Sequence, residues 1–380
     1  MGVCGADKNF FQSGDFMWRR IKKGLEVRIG LEDLVNTKLK RYTVPRNTNI
    51  FYTLGGVALA AFIIQALTGF FLLIYYVPHS DHAFRSVQQI MTSVPFGWLF
   101  RLMHVVGANL IVAVVFLHML SVFFMGSYKK PRELTWIAGW LMLLVVLTFS
   151  LSGNLLPWSQ LSYWTTTVVT AMPTAFPYVG DYIANVLRGG EFVSGVTLNR
   201  FFALHVALLP PVFVLFLVVH IFLIRRIGLS SPPFGEQTAG SGEWNEYRHV
   251  SYPDGYSFYP YFVLKELYMV LAYLVVMFFV ITFVPTLFLP QGANIPADPL
   301  KTPAYIKPQW YFLAPYQMLK LIPNKFLGIS IQLLLLAMFI LWPFFDTGRE
   351  RNILKRPLLL VAFLASLLLW IVLTVWGRTS

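Results

Sequence analysis

Two stretches decide how the chain folds: RLMHVVGANLIVAVVFLHMLSVFFM (Arg101–Met125) and its echo RFFALHVALLPPVFVLFLVVHIFL (Arg200–Leu223). Each is a long apolar run carrying two histidines. His104 and His118 stand 14 residues apart, and His205 and His220 stand 15 apart. On an α-helix, 14 steps of about 1.5 Å cover roughly 21 Å, most of the hydrocarbon thickness of a bilayer. Fourteen steps leave an angular offset of about 40° and fifteen about 60°, so both histidines of a run share one face. Each run therefore predicts a membrane-spanning helix with one imidazole near either surface.

Composition agrees. Of 380 residues 57% are apolar and only 12% charged, which excludes a soluble domain of this size and predicts an all-α, polytopic membrane protein. Aromatic residues suit interfacial belts and cofactor pockets. The single cysteine, Cys4, excludes a disulfide framework and any multi-cysteine metal or iron–sulfur centre within the chain. The opening MGVCGADKNF has no apolar core, so no cleavable signal peptide is expected, and Ala6 stands where a myristoylation site needs Ser or Thr.

Seven apolar spans are predicted, at about 51–77, 100–125, 135–153, 201–224, 266–289, 327–345 and 357–376. An odd number puts the termini on opposite sides. The net charge of +13 could suggest a nucleic-acid partner, but 21 of the 30 Lys and Arg fall on the side of the N-terminus. The excess is thus a topology signal that places the N-terminus in the cytoplasm, and nucleic acid is not a partner.

Four segments follow. Residues 1–46 form a cytoplasmic piece, in which 15–42 mix Trp, Ile, Leu and Val with basic residues as an amphipathic surface helix does. Residues 47–231 form a four-helix bundle, 232–257 a polar cytoplasmic linker rich in Gly, Pro and Ser, and 258–380 a three-helix part. Residues 154–199 predict short surface helices over the bundle mouth. Residues 290–326 predict an outer loop stiffened by Pro290, Pro296, Pro299, Pro303 and Pro308 before PQWYFLAPYQMLK.

In an up-down bundle the second and fourth spans run parallel, which pairs His104 with His205 and His118 with His220 at matched depths. The glycines repeat the interval: Gly55 to Gly69 is 14 residues, and so is Gly139 to Gly153. Glycine in a membrane helix ordinarily serves close packing. Here three helices share one interval, as a flat group lying between helices at two depths would require. Zinc recruits three or four ligands at one centre. Haem iron in a bundle takes two axial ligands on opposite faces of a ring, so four imidazoles match two haems. Arg101, Lys130 and Arg132 lie where they could face the anionic propionates; otherwise they are snorkelling anchors. His79, His82 and His249 read as solvated loop residues. Arg225 and Arg226 close the fourth span, and Lys265 and Glu266 open the fifth; such edge residues are anchors by default and can also handle protons.

With these residues in view, about residues 45–376 resemble cytochrome b of the Rieske/cytochrome b complexes. The resemblance rests on the histidine and glycine pairs, LPWSQLSYW and PQWY. NIFYTLGG, FGWLFRLMH and KKPRELTW resemble the photosynthetic branch, as do the count of seven spans and the 15-residue interval, though there the chain is split in two. FYPYFVLKELY resembles the respiratory branch, so the mixture suggests a bacterial enzyme of the inner (plasma) membrane, outside both groups. The resemblance implies two bis-histidine haems b and quinol or quinone as substrate. It implies a Rieske-type iron–sulfur protein, a cytochrome c-type subunit and membrane lipids as partners, and a homodimer. It places an outer quinol-oxidation site at Gln160, Tyr163, Pro308, Gln309, Trp310 and Tyr311, and an inner quinone-reduction site near Arg225, Arg226, Lys265 and Glu266. One quinol electron then goes to the iron–sulfur protein and the other crosses the membrane.

Two departures stand out. Gln309 occupies a position where the family usually has a carboxylate that accepts a quinol proton, and an amide cannot titrate. Either another group accepts the proton, with Tyr163, Tyr311 and ordered water as candidates, or the quinol is easier to oxidise; the first is the expectation, acting on a low-potential menaquinol. Thr53 occupies the place of the cysteine that attaches an extra haem in the photosynthetic branch, so no covalent haem is expected. A di-haem anchor of another oxidoreductase would have four or five spans and no PQWY loop. A transporter with histidines in a proton path would have no chromophore.

Overall fold

A computed structural model describes residues 42–234, 252, 254–289, 291–304 and 306–380. The predicted amphipathic N-terminal segment, Cys4, His249, Pro290 and most of the polar linker lie outside these residues.

The described fold is helical throughout, apart from one two-residue antiparallel pairing of β1 (Thr43–Val44) with β2 (Tyr256–Ser257). That pairing sets the start of the described chain beside the entry to the fifth span. Helix α1 (Leu54–Tyr75) continues a 3₁₀ turn at Ile50–Thr53, and a short α2 (Ala83–Thr92) leads into α3 (Gly97–Phe124), which packs along α1. Helix α4 (Glu133–Leu155) returns across the bundle. Two short helices follow, α5 (Gln160–Ala171) and α6 (Gly180–Arg188), as expected of the 154–199 loop. The fourth span is composite: α7 (Gly195–Ala203), a π turn at Leu204–Leu208, then α8 (Leu209–Ile227), which packs along α4.

The C-terminal part opens with a turn at Phe258–Phe262 and α9 (Val263–Phe283), which packs on α1 and α3. Helices α10 (Leu313–Leu321), α11 (Lys325–Ile340), α12 (Trp342–Phe345) and α13 (Pro357–Thr379) complete it. Within the outer loop, PQWYFLAPYQMLK is therefore not extended: a 3₁₀ turn at Trp310–Phe312 runs into α10, which packs along α13.

Among the described residues, six helical stretches are long and apolar enough to cross a membrane: Ile50–Tyr75, Gly97–Phe124, Glu133–Leu155, Gly195–Ile227, Phe258–Phe283 and Pro357–Thr379. The span predicted at 327–345 is the exception. Its helix stops at Ile340, because Pro343 cannot donate a backbone hydrogen bond; the chain breaks at Leu341 and adds one further turn, α12. At about 1.5 Å per residue α11 alone covers roughly 24 Å.

Three apolar clusters hold the bundle. Val57, Ala61, Val106, Val112 and Met277 join α1, α3 and α9 at mid-depth. Leu155, Trp158, Tyr163, Leu198 and Phe201 form a cap beneath the 154–199 helices. Phe123, Tyr128, Trp136, Trp140 and Ile353 seal the opposite end.

Candidate functional site

Helix α3 and the composite fourth span, whose π turn holds His205 and whose α8 holds His220, bring the four histidines together as two pairs. The rings of His104 and His205 face each other with centroids 6.3 Å apart and planes at 74°. His118 and His220 line one cavity at the other end, together with Gly139, Thr135, Trp140 and Arg132. The two ends are named here by His104 and His118.

The π turn explains how intervals of 14 and 15 residues reach the same two depths. Pro210 and Pro211 lack the N–H groups that would bond the carbonyls one turn back. The helix widens ahead of them, and the Leu209 N–H donates to the Leu204 carbonyl five residues back. A π turn inserts one residue without advancing the helix by a full step. Fifteen residues in the fourth span thus match fourteen in the second.

Each glycine of the repeated interval lies directly against one imidazole. A Cβ on Gly69 would stand 3.2 Å from Cε1 of His104, and one on Gly153 2.7 Å from Cε1 of His205. For Gly55 against His118 and Gly139 against His220 the distance is 3.4 Å in both cases. The glycines therefore make room first for the histidine rings, and only through them for a group between the rings.

Hydroxyls add a distinction that the histidine pattern did not reveal. Thr68 Oγ1 lies 3.0 Å from His104 Nδ1, and Ser152 Oγ lies 3.0 Å from His205 Nδ1. At the other end, Nδ1 of both His118 and His220 is buried and meets no hydroxyl; the Thr135 backbone approaches His220, as the Gln65 and Phe149 backbones approach His104 and His205.

The expected cations divide. Arg101 is buried one turn before His104. Arg132 is buried, lines the His118 cavity and donates from Nε and a terminal nitrogen to the Gly228 carbonyl. Lys130 is exposed and is not among the residues that line this cavity. Its neighbour Lys129 is the buried one. Its ammonium donates to Asp346 Oδ1 at 2.7 Å and to the Gly348 carbonyl at 2.8 Å. Arg356 grips the same carboxylate with two bonds of 2.8 and 2.6 Å, and the Tyr128 hydroxyl donates to it as well. This clasp joins the α3–α4 turn to the α12–α13 connection. Sequence reasoning passed over it, because its members lie more than 200 residues apart and each reads alone as a loop charge.

The residues predicted for an outer site take different parts in the structure. Gln160 ties the two outer loops: its amide oxygen accepts from the Asp298 N–H at 2.7 Å, and its amide nitrogen donates to the Lys301 carbonyl. The Tyr163 hydroxyl donates to the Val193 carbonyl at 3.2 Å, and burial pushes its phenol up. Tyr311 is buried in the mid-depth core. Burial pushes its phenol up to about 12, while a hydrogen bond with Ser150 works the other way. Trp310 packs edge-on against Trp370 of α13, with Pro308 partly buried just before it. Gln309 differs from all of these: its Oε1 is buried with no hydrogen-bond partner.

At the His118 end, Glu266 packs against Gly56, so that consecutive glycines of α1 touch His118 and Glu266. Arg225 stacks on the rings of Tyr42 and Phe258, at 4.5 and 4.7 Å from their centroids, within electrostatic reach of Glu266. Lys265 bonds the Tyr256 hydroxyl at 3.0 Å and the Thr48 carbonyl at 3.3 Å, and Arg226 is exposed. Among the described residues no three His, Cys, Asp or Glu side chains cluster as a metal site. Thr53, at the place of the absent cysteine, is buried and donates to the Ile50 carbonyl at 2.6 Å. His79 and His82 are exposed, as expected of loop residues.

Comparison with known proteins agrees with this architecture. The family model Cytochrome b/b6/petB matches residues 39–228, and Cytochrome b(C-terminal)/b6/petD matches 296–380. Cytochrome b of Rickettsia prowazekii (strain Madrid E) is 38% identical over 322 residues, covering 85% of this chain and 78% of that one. Cytochrome b of Rhodospirillum rubrum is 36% identical over 335 residues, covering 88% and 80%. A chain of a solved hyperthermophilic respiratory Complex III superposes with a TM-score of 0.86 at 37% identity, covering 94% of this chain and 91% of that one. A multi-pass membrane chain with these matches along nearly its whole length belongs to the cytochrome b/b6 family, the haem b-binding, electron-transferring cores of Complex III-type quinol–cytochrome c oxidoreductases.

Proposed function

We propose that this chain is the di-haem subunit of a quinol-oxidising complex, in which His104 and His205 would hold one haem b and His118 and His220 the other. The His104–His205 separation carries the reading. Two metal–imidazole bonds of about 2 Å each, plus the two half-widths of the rings, give about 6 Å, against 6.3 Å between centroids. Two imidazole rings at that separation, with no third ligand clustered among the described residues, suit a metal whose remaining ligands a porphyrin would supply. Gly55, Gly69, Gly139 and Gly153 give the rings their space, and Arg101 and Arg132 supply buried positive charge for the propionates. Bound haem would supply a one-electron path between the two sides of the membrane.

Quinol is oxidised at the outer, His104 end, beside α5 and the PQWY segment. One electron leaves to a Rieske-type iron–sulfur protein and on to a cytochrome c-type subunit. The other crosses to a quinone reduced near Arg225, Arg226, Lys265 and Glu266, and contributes to the membrane potential at roughly 2.3 kcal/mol per charge per 100 mV. The buried amide oxygen of Gln309 can accept a hydrogen bond from a quinol hydroxyl but cannot keep its proton. Tyr163 and Tyr311 stay protonated at neutral pH, because burial raises both phenols. They can relay a proton through their oxygen lone pairs into water, which suits an easily oxidised menaquinol. The chain sits in the bacterial inner membrane with its N-terminus cytoplasmic, as a homodimer within the complex. It carries two non-covalent haems, 47–231 forming the haem-binding unit and 258–380 the three-helix unit.

The test is the purified complex. Two haems b per chain are expected, and alanine at any one of the four histidines should remove one component of the reduced-minus-oxidised spectrum. A haem-free protein, or spectra indifferent to all four substitutions, would end the proposal. A band at this mass on a haem-stained denaturing gel would overturn the non-covalent attachment alone.

A further inference from the structure

The two histidine pairs differ in what holds the far nitrogen of each ring. Thr68 Oγ1 lies 2.7 Å from the Ile64 carbonyl and Ser152 Oγ 2.7 Å from the Thr148 carbonyl, each one turn back on its own helix. A hydroxyl has one proton, and that geometry gives it to the carbonyl. The oxygen that also faces an imidazole Nδ1 at 3.0 Å can then only accept. So Nδ1 of His104 and of His205 carries the ring proton, and the Nε2 lone pair is left for a metal. Thr68 and Ser152 are 2% and 1% exposed, so water does not compete for these bonds.

The sequence places the two hydroxyls identically: each immediately precedes the glycine that touches its histidine, as Thr68-Gly69 and Ser152-Gly153. At the other end the same positions are Leu54-Gly55 and Ala138-Gly139, with no hydroxyl, and the Nδ1 atoms of His118 and His220 have no partner. An imidazole that donates from Nδ1 to a firm acceptor is a stronger electron donor at Nε2, which favours the oxidised metal.

We propose that Thr68 and Ser152 are positioning residues for the His104/His205 haem: they fix the tautomer of both ligands and hold that haem at a more negative potential than it would otherwise have. The His118/His220 haem lacks this device, so the asymmetry drives an electron from the His104 end toward the His118 end. The inference rests on the bis-histidine assignment and adds to it a cause for the direction of flow.

The experiment is a redox titration of the two b-type components in the purified complex, with electron paramagnetic resonance of the oxidised protein. Thr68→Val with Ser152→Ala should move the His104-end midpoint positive, by roughly tenfold in the one-electron equilibrium, about 59 mV. It should leave the His118-end midpoint in place and shift the ligand-field signature of one component only. Thr68→Ser, which keeps the oxygen, should titrate as the parent does. The reciprocal variant, Ala138→Ser, places a hydroxyl beside His220 and should move the other midpoint negative; it keeps the idea falsifiable if the double variant fails to assemble. Unmoved midpoints in both variants, or both components moving together, would sink the proposal while leaving the ligand assignment intact. A parent complex without two low-spin signals would instead sink the ligand assignment, and this inference with it.

Discussion

The His104 end and the His118 end are built on the same four helices at the same glycine interval, yet they hold their imidazoles by different means. At the first, a Cβ on the facing glycines would come within 2.7 and 3.2 Å of the rings, hydroxyls grip the far nitrogens, and the Trp158–Tyr163 cap closes over the top. At the second the same hypothetical Cβ would stand at 3.4 Å, the far nitrogens meet no hydroxyl, and a cavity remains. Closure there falls to a charged clasp, of which Tyr128 belongs both to the cavity wall and to the Asp346 network. One end is fixed by contact and hydrogen bonding inside the membrane; the other is fixed from outside, by a knot of charge tying the two halves of the chain.

The largest test of that contrast is the clasp. Asp346 and Lys129 are almost wholly buried, with side chains 4% and 1% exposed. Removing one partner of a buried pair leaves the other charge uncompensated, typically at about 3–5 kcal/mol. Asp346→Ala should therefore lower the thermal stability of the detergent-solubilised complex strongly and broaden the spectrum of the His118-end haem alone. The pH dependence has a definite sign. Burial opposes the Asp346 charge, but hydrogen bonds from Arg356, Lys129 and Tyr128 outweigh it and hold the carboxyl below its ordinary range. A carboxyl depressed on folding stabilises fully above its unfolded pKa of about 4, and that contribution is lost as pH falls through the folded value. The parent should thus lose stability below about pH 4 along a limb that Asp346→Ala lacks. Equal acid sensitivity in the two proteins would mean that the clasp does not carry the His118 end.

Glycine substitution probes the contrast from inside. Alanine at Gly153 puts a Cβ 2.7 Å from the His205 ring, closer than carbon atoms approach without displacement, whereas alanine at Gly139 meets His220 at 3.4 Å. Overpacking of this kind costs about 1–3 kcal/mol. Gly153→Ala should reduce haem occupancy at the His104 end, and Gly139→Ala should leave the other end close to full. Haem-to-protein ratios would measure this, and equal losses at both ends would erase the proposed difference in tightness.

How much of this was legible beforehand follows from which signals are local. The four histidines, the glycine interval and six of the spans are periodic features of single helices, and they could be read directly. The matched depth of His205 with His104 was legible too, but its cause, a π turn ahead of Pro210 and Pro211, was not, because a helical wheel assumes a uniform pitch. Pro343 was in plain view, and it is what shortens the span predicted at 327–345. Thr68 and Ser152 left a faint trace, a hydroxyl before each of two glycines, visible only once each glycine is known to touch a ring. The Asp346 clasp left none, since nothing in a sequence says that loops more than 200 residues apart will meet. For the same reason Lys129 went unremarked beside Lys130: which of two adjacent lysines turns inward is decided by the carboxylate waiting across the fold.

The smallest expected effect sits at Gln309. Its amide oxygen is the one buried acceptor of the PQWY segment without a donor, which suits a substrate hydroxyl. Tyr163 and Tyr311 are already engaged, with the Val193 carbonyl and with Ser150. A carboxylate introduced by Gln309→Glu would gain a charge in a place where no described cation is seen to meet it. Desolvation would then raise its pKa and keep it largely protonated. It would resemble the amide as a hydrogen-bond acceptor and add little as a base. Quinol oxidation by Gln309→Glu should stay within about twofold of the parent near neutral pH, because a base helps most when its pKa lies near the operating pH and it is already ionised. A severalfold rise with a new acid limb in the pH–rate profile would show that the His104 end lacks only a carboxylate. The proton route through phenol and water oxygens would then give way to direct transfer onto residue 309.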